Sequence, residues 1–177
     1  MTHASADAKK TTAPRPLLLL LDSNAIVHRA YHALPPLTTA DGVQTNAVYG
    51  FTTTLFSVIE RFQPTHIVAA FDPPGPTFRK ELYADYKATR KETPEDLAPQ
   101  FALVREVVDA LGIARMEQEG FEADDVIGTV ARDAAAAGMD VVIVTGDKDT
   151  LQLVDQQIRV FTMSRGVHDM VLYDTAM

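Results

Sequence analysis

Val141-Val142-Ile143-Val144-Thr145-Gly146-Asp147-Lys148-Asp149 joins an unbroken β-prone run to a turn that carries two acids. The run shows no inside–outside alternation, so both faces of the strand it predicts are buried. That is the habit of parallel sheets covered by helices on both sides. Working outward, the same phrase recurs. Leu17–Leu21 is a short apolar strand that ends at Asp22, and His66–Phe71 is another that closes on Asp72. Helical segments lie between these runs. Ser23 or Asn24 caps a helix running to about Ala33, which Pro35 and Pro36 break. Asn46–Phe62 is a second helix, ended by Pro64. Thr93 and Pro94 read as N-cap and first residue of a third, with Gly112 past its end. A short strand follows near Ile113–Met116. Glu122–Ala137 is then helical up to Gly138, another helix begins near Asp149, and Ile158–Thr162 is a last strand. Alternating strands and helices predict an α/β fold: a central, mostly parallel sheet with helices on both faces.

The 177 residues fit one domain, and 46% hydrophobic with 23% charged residues is ordinary globular composition. The absence of cysteine excludes disulfides, thiolate zinc sites and cysteine nucleophiles. Residues 1–16, small, polar and proline-containing, read as a disordered leader. Lys9, Lys10 and Arg15 before an apolar run invite a signal-peptide reading, but the run is too short and ends in Asp22. The longest apolar runs fall far short of the ~20 residues of a membrane helix.

A formal charge of −8 argues at first against nucleic acid. Placement reverses the argument. Asp22, Asp72, Asp147 and Asp149 follow strands, and Glu122, Asp124 and Asp125 open a helix after another. In a parallel sheet all of these points lie at the carboxyl edge, where α/β ligands bind. Each acid alone reads as a cap or turn residue, Asp22 above all. Seven together repel, and divalent cations neutralise them; oxygen-only ligands select Mg²⁺ or Mn²⁺. Without those seven the formal charge falls from −8 to −1, so the acidity belongs mostly to this one edge.

Directly after Asp72 comes an arm, Phe78-Arg79-Lys80-Glu81-Leu82-Tyr83-Ala84-Asp85-Tyr86-Lys87-Ala88-Thr89-Arg90-Lys91, net +3 in an acidic chain. Basic groups there pair with phosphates, and Phe78, Tyr83 and Tyr86 stack on unpaired bases; a solvated charged face is the plainer reading. Arg29, just beyond Asp22, reaches the same anion or is a surface charge. His28, His32 and His66 read as packing or surface residues. No phosphate-binding GxxxxGK[ST] loop or serine nucleophile elbow is present. Two metals at a sheet edge beside a basic aromatic arm point to phosphodiester hydrolysis.

Five stretches, LLLLLDSNAIVHRAYHALPPLTT, NAVYGF, PTHIVAAFDPPGPTFRKELYADYKATR, GFEADDVIGTVAR and VTGDKDTLQLV, closely resemble in order and spacing the N-terminal 5′-nuclease domain of bacterial DNA polymerase I, in the PIN-like flap-endonuclease superfamily. The resemblance runs from about Pro16 to the end. It implies a 5′-3′ exonuclease or flap endonuclease that uses Mg²⁺ or Mn²⁺ in replication and repair. Asp22, Asp72, Glu122 and Asp124 then serve a first ion, with Asp125 nearby through water, and Asp147 and Asp149 serve a second. The segment at about 77–93 enters a helical arch around the single-stranded 5′ end. There Arg79, Tyr86, Lys87 and Arg90 contact the scissile region, with Phe78, Tyr83 and Lys91 beside them. Lys87 is the candidate transition-state cation, and Arg29 holds the phosphate near the first ion. Implied partners are DNA with a 5′ flap or 5′ end and RNA primer–DNA hybrids. No membrane is expected, and the protein is expected to be a monomer in bacterial cytoplasm, associated with the nucleoid.

Two departures stand out. His28 occupies a position where many members carry an aromatic, and the family's helix–hairpin region, its G-D-x-x-D-N acids and a polymerase domain have no counterpart here. A weakened second ion site is therefore expected, and a catalytically weak or inactive nucleic-acid-binding remnant is the alternative to an active nuclease. Two other enzyme classes fit less well. A PIN-type ribonuclease lacks the long basic arm, and an aspartate-nucleophile phosphatase needs an acid where Asn24 stands.

Overall fold

Six strands form one sheet in the order β3-β2-β1-β4-β5-β6. In chain order they are β1 (Leu17–Asp22), β2 (His66–Ala70), β3 (Ala114–Met116), β4 (Asp140–Thr145), β5 (Ile158–Arg165) and β6 (Asp169–Tyr173). The first five run parallel and β6 is antiparallel at the edge. The helices are α1 (Ser23–Ala33), α2 (Asn46–Phe62), α3 (Phe78–Leu82), α4 (Ala98–Ala110) and α5 (Ala123–Ala136), with a 3-10 turn at Asp149–Leu153. The structure, a computed structural model, describes residues 14–83, 86, 93–165 and 169–176. Most of the expected leader and residues 84, 85 and 87–92 of the arm lie outside the described residues.

Side-chain alternation along the strands divides the core in two. Leu19, Leu21, Ala69, Phe71, Val142, Val144 and Phe161 face α1, α2 and α4. Leu18, Leu20, Ala70, Val141, Ile143, Ile158 and Val160 face α5 and the 3-10 turn. Both faces are covered, which is why the strands read as unbroken apolar runs. α1 and α2 approach closely at Gly50, where an added Cβ would lie 2.5 Å from Ala30 Cβ and 2.9 Å from Leu34 Cδ1.

The chain winds outward from β1 through β2 to β3, then returns to place β4 on the other side of β1. The connections reverse between β1 and β4, the crevice where open α/β sheets bind ligands.

Several boundaries differ from the sequence reading. Of the residues read as caps for α1, Asp22 and not Ser23 or Asn24 does so, its Oδ1 accepting from Ala25 N at 3.0 Å. α4 starts at Ala98, not at Pro94. A helix begun at Pro94 would put Pro99 in its interior, where proline has no N–H to give and its ring meets the preceding turn. Starting at Ala98 puts Pro99 in the first turn, where neither matters. Near Asp149 there is a 3-10 turn instead of an α-helix, β5 runs on to Arg165, and β6 had no counterpart in the reading.

Candidate metal centre

Asp22 ends β1, only 4% exposed. Besides capping α1, it accepts at Oδ2 from the Thr145 hydroxyl at 2.6 Å. Burial pushes its carboxyl above the ordinary aspartate value; the bonds from Thr145 and Ala25 oppose the shift, and the charges of Asp72 and Asp147 add to it.

Asp72 lies two residues past β2. Its Oδ1 accepts from Ala123 N in the first turn of α5 at 2.7 Å, a favourable place for an anion. Asn24 grips the same residue twice: its Nδ2 donates to Asp72 Oδ2 at 2.9 Å, and its Oδ1 accepts from Asp72 N at 3.2 Å. Arg105 of α4 supports this loop from behind. It lies 4.6 Å over the Phe71 ring and donates to the Asp72 carbonyl at 3.3 Å.

Glu122 is the N-cap residue of α5, and Asp125 Oδ2 accepts from Glu122 N at 3.0 Å. The arm reaches both acids. Arg79 of α3 forms a two-pronged bond to Asp125 at 2.5 and 2.6 Å and stands 3.6 Å from Glu122 Oε2. The bond to Asp125 is the main reason the guanidinium holds its proton even more firmly than an ordinary arginine. Tyr86 donates its hydroxyl to Glu122 at 3.1 Å. Phe78 packs on Phe121 with ring centroids 5.4 Å apart, while Tyr83 is exposed beyond them.

Asp147 follows β4. Its N–H donates to Thr145 Oγ1 at 2.9 Å, and its Oδ1 accepts from Asp149 N at 2.9 Å.

A cavity of about 100 Å³ opens between these segments, lined by Asp22, Asn24, Ala25, His28, Asp72, Glu122, Ala123, Asp124 and Asp147. Five of the seven expected ligands thus share one cavity. Asp125 turns to Arg79, and Asp149 is exposed beyond Asp147. Arg29 lines a neighbouring cavity of about 350 Å³ with Ala25, His28, His32, Gly146 and Asp147. Lys87, Arg90 and Lys91 lie outside the described residues.

The donor set fits a hard divalent cation: every candidate ligand is a carboxylate, and the chain has no thiolate to favour a softer ion. As the side chains stand, no three His, Asp or Glu among the described residues are close enough to hold one ion. The carboxylates bond to Thr145, Ala25, Asn24, Ala123, Tyr86 and Arg79, of which Asn24, Ala25 and Ala123 line the same cavity.

Sequence reading missed the neutral members of this site. Asn24 entered as a helix cap and as the residue that speaks against an aspartate-nucleophile phosphatase, and Thr145 only as a strand residue. His28, read as a packing or surface residue and noted for standing where many members carry an aromatic, contacts Phe101 edge-on at 5.4 Å and also lines the acid cavity. One signal was available: residues 24, 25 and 28 follow a strand-end acid on one helical face.

The family profile described as 5′-3′ exonuclease, N-terminal resolvase-like domain, matches residues 17–176. The chain belongs to this family. Among relatives of this 5′-3′ exonuclease domain, DNA polymerase I of Mycobacterium tuberculosis is 43% identical over 171 residues, 96% of this chain and 19% of that protein. DNA polymerase I of Bacillus subtilis is 42% identical over 159 residues, 90% of this chain and 18% of that protein. The chain therefore spans less than a fifth of the length of these curated relatives. Among solved structures, T5 5′-exonuclease with bound zinc ions superposes with a TM-score of 0.67 at 18% identity, covering 89% of this chain and 58% of that one. The catalytic core of Rad2 in complex with a DNA substrate gives 0.53 at 16% identity, covering 92% and 49%. At these identities the likeness shows a shared fold: the PIN-like arrangement expected from the sequence.

Proposed function

We propose that this 5′-3′ exonuclease-family domain hydrolyses phosphodiester bonds at the 5′ end of DNA, as a divalent-metal-dependent exonuclease and flap endonuclease. The observation that carries the reading is the cavity at the switch point, where acids from four separate segments face one another. The zinc bound to the T5 enzyme and the DNA bound to Rad2 support it by analogy. Asp22, Asp72, Glu122 and Asp124 would hold a first ion, with Asp125 assisting through water, and Asp147 and Asp149 would hold a second. Mg²⁺ or Mn²⁺ bound there supplies Lewis acidity for an attacking water and a leaving oxygen.

The chain's own side chains do the rest. Arg29, which lines the neighbouring cavity with Asp147, holds a phosphate on the α1 side. Arg79 and Tyr86 anchor the arm to the acids of α5. Phe78, Tyr83 and Tyr86 offer faces to unpaired bases, and Arg90 and Lys91 pair with backbone phosphates. Lys87 neutralises the charge that develops at the scissile phosphate. RNA primer–DNA hybrids are a second substrate class, acted on by a monomer in bacterial cytoplasm at the nucleoid. No helix among the described residues is long and apolar enough to cross a membrane.

The test is cleavage of a 5′-labelled flap substrate by this chain with Mg²⁺, with Mn²⁺ and with EDTA, beside an Asp72→Asn control. Metal-dependent cleavage absent from the control is the expected result. A folded chain that binds DNA and cleaves nothing under any condition would overturn it in favour of a binding remnant.

A further inference from the structure

Thr145 stands between the two groups of acids. It is the last residue of β4, fully buried, beside the end of β1. Its hydroxyl donates to Asp22 Oδ2 at 2.6 Å and accepts from Asp147 N at 2.9 Å. The second bond is a local turn, common for threonine two residues before its donor. The first is of a different kind, a short charge-assisted bond to a buried carboxylate 123 residues away in the chain. One hydroxyl proton can point only one way. With Asp147 N–H on the oxygen lone pair, the proton is left for Asp22.

We infer that Thr145 is a positioning residue that ties the acid ending β1 to the acid loop following β4 and so sets the metal affinity of both. The inference rests on the metal reading of this cavity. Asp22 Oδ1 is fixed by Ala25 N and Oδ2 by Thr145, so the plane of the carboxylate is set from two sides while the residue still lines the cavity. The Asp147 backbone is held by the same oxygen, so a twist at either acid is felt at the other. Outer groups of this kind hold ligands in place across metal sites, and removing one typically weakens metal binding by about 10–100-fold.

The experiment is Mn²⁺ binding, followed as loss of the free-ion electron paramagnetic resonance signal, without substrate. Wild type, Thr145→Val and Thr145→Ser are compared. Valine keeps the shape and removes both bonds, so its dissociation constant is expected to rise about tenfold or more. Serine keeps the hydroxyl and is expected to stay within about threefold of wild type. Equal affinity of a folded Thr145→Val and wild type would overturn the inference. Should the valine variant fail to fold, Thr145→Ala and Thr145→Ser decide it: both lose the methyl, only alanine loses the hydroxyl, and equal Mn²⁺ affinity would overturn it. Wild type that binds no Mn²⁺ would overturn the metal reading beneath, and this coupling with it.

Discussion

Gly50 and Gly128 are both helical glycines, in α2 and α5, and the same replacement is expected to act on them in opposite directions. Alanine in a helix interior is favoured over glycine by about 1 kcal/mol. At Gly128 little opposes that gain. A Cβ there would meet Leu153 Cδ1 and Cδ2 at 3.9 Å, ordinary contact. Gly128→Ala should therefore stabilise the fold by up to about 1 kcal/mol. At Gly50 the new Cβ would lie 2.5 Å from Ala30 Cβ, against a normal carbon–carbon contact of about 3.5–4.0 Å. The neighbour is no flexible chain end but the first carbon off the α1 backbone, so α1 must move by about 1 Å. Overpacking of that kind costs about 1–3 kcal/mol, which matches the propensity gain at its lower end and exceeds it over the rest of the range. For a chain of this size 1 kcal/mol moves the melting temperature by about 2–4 °C. Thermal unfolding by circular dichroism should show Gly128→Ala melting above wild type and Gly50→Ala below it. Because α1 carries Asn24, Ala25, His28 and Arg29, Gly50→Ala should also slow flap cleavage. Shifts of the same sign in both variants would refute the close packing of α1 on α2.

Three further outcomes are expected. Asp72→Asn abolishes cleavage while Asp149→Asn, exposed beyond the cavity, has a smaller effect; equal losses in single-turnover rates would contradict that ranking. Asp22→Asn removes activity, and in EDTA its stability relative to wild type should depend on pH. Asp22 carries a pKa raised by burial, so its folded form favours the proton; that contribution is full at pH below 3.8 and is lost as pH rises through the raised value. The stability of Asp22→Asn relative to wild type should accordingly fall as pH drops from neutral towards 4, and a difference that is constant with pH would be the wrong result. Gln100, fully buried, accepts from Ala47 N at 2.8 Å at the start of α2, where Thr45 makes no side-chain cap. Gln100→Leu strands that buried N–H and should cost about 1–3 kcal/mol in urea unfolding.

The sheet and the acids were legible because each rests on a local pattern: an apolar run without alternation, closed by a carboxylate. Position after a strand is enough to bring Asp22, Asp72, Glu122, Asp124 and Asp147 to one edge, whatever the strand order. The order itself, which puts β4 beside β1, depends on packing between distant segments and leaves no local mark. Thr145, Asn24 and Gln100 were invisible for the same reason, since each works through a partner far along the chain. The start of α4 was misread because Thr93-Pro94 is a good local opening; the competing requirement came from Pro99. β6 was missed because Asp169–Tyr173 is a short edge strand that pairs antiparallel, against the rhythm of the rest.

The junction of β1 with β4 also governs when the site can exist. A chain made from its N-terminus presents Asp22, Asp72, Glu122 and Asp124 well before Thr145 and Asp147. Until β4 inserts beside β1, the growing sheet has only β1, β2 and β3, and β1 lies at its open edge. Closing that gap brings together residues 123 positions apart, a slow, non-local step. A nascent chain therefore carries Asp22, Asp72, Glu122 and Asp124 before it has the cavity they line, which arrives with the central strand pair.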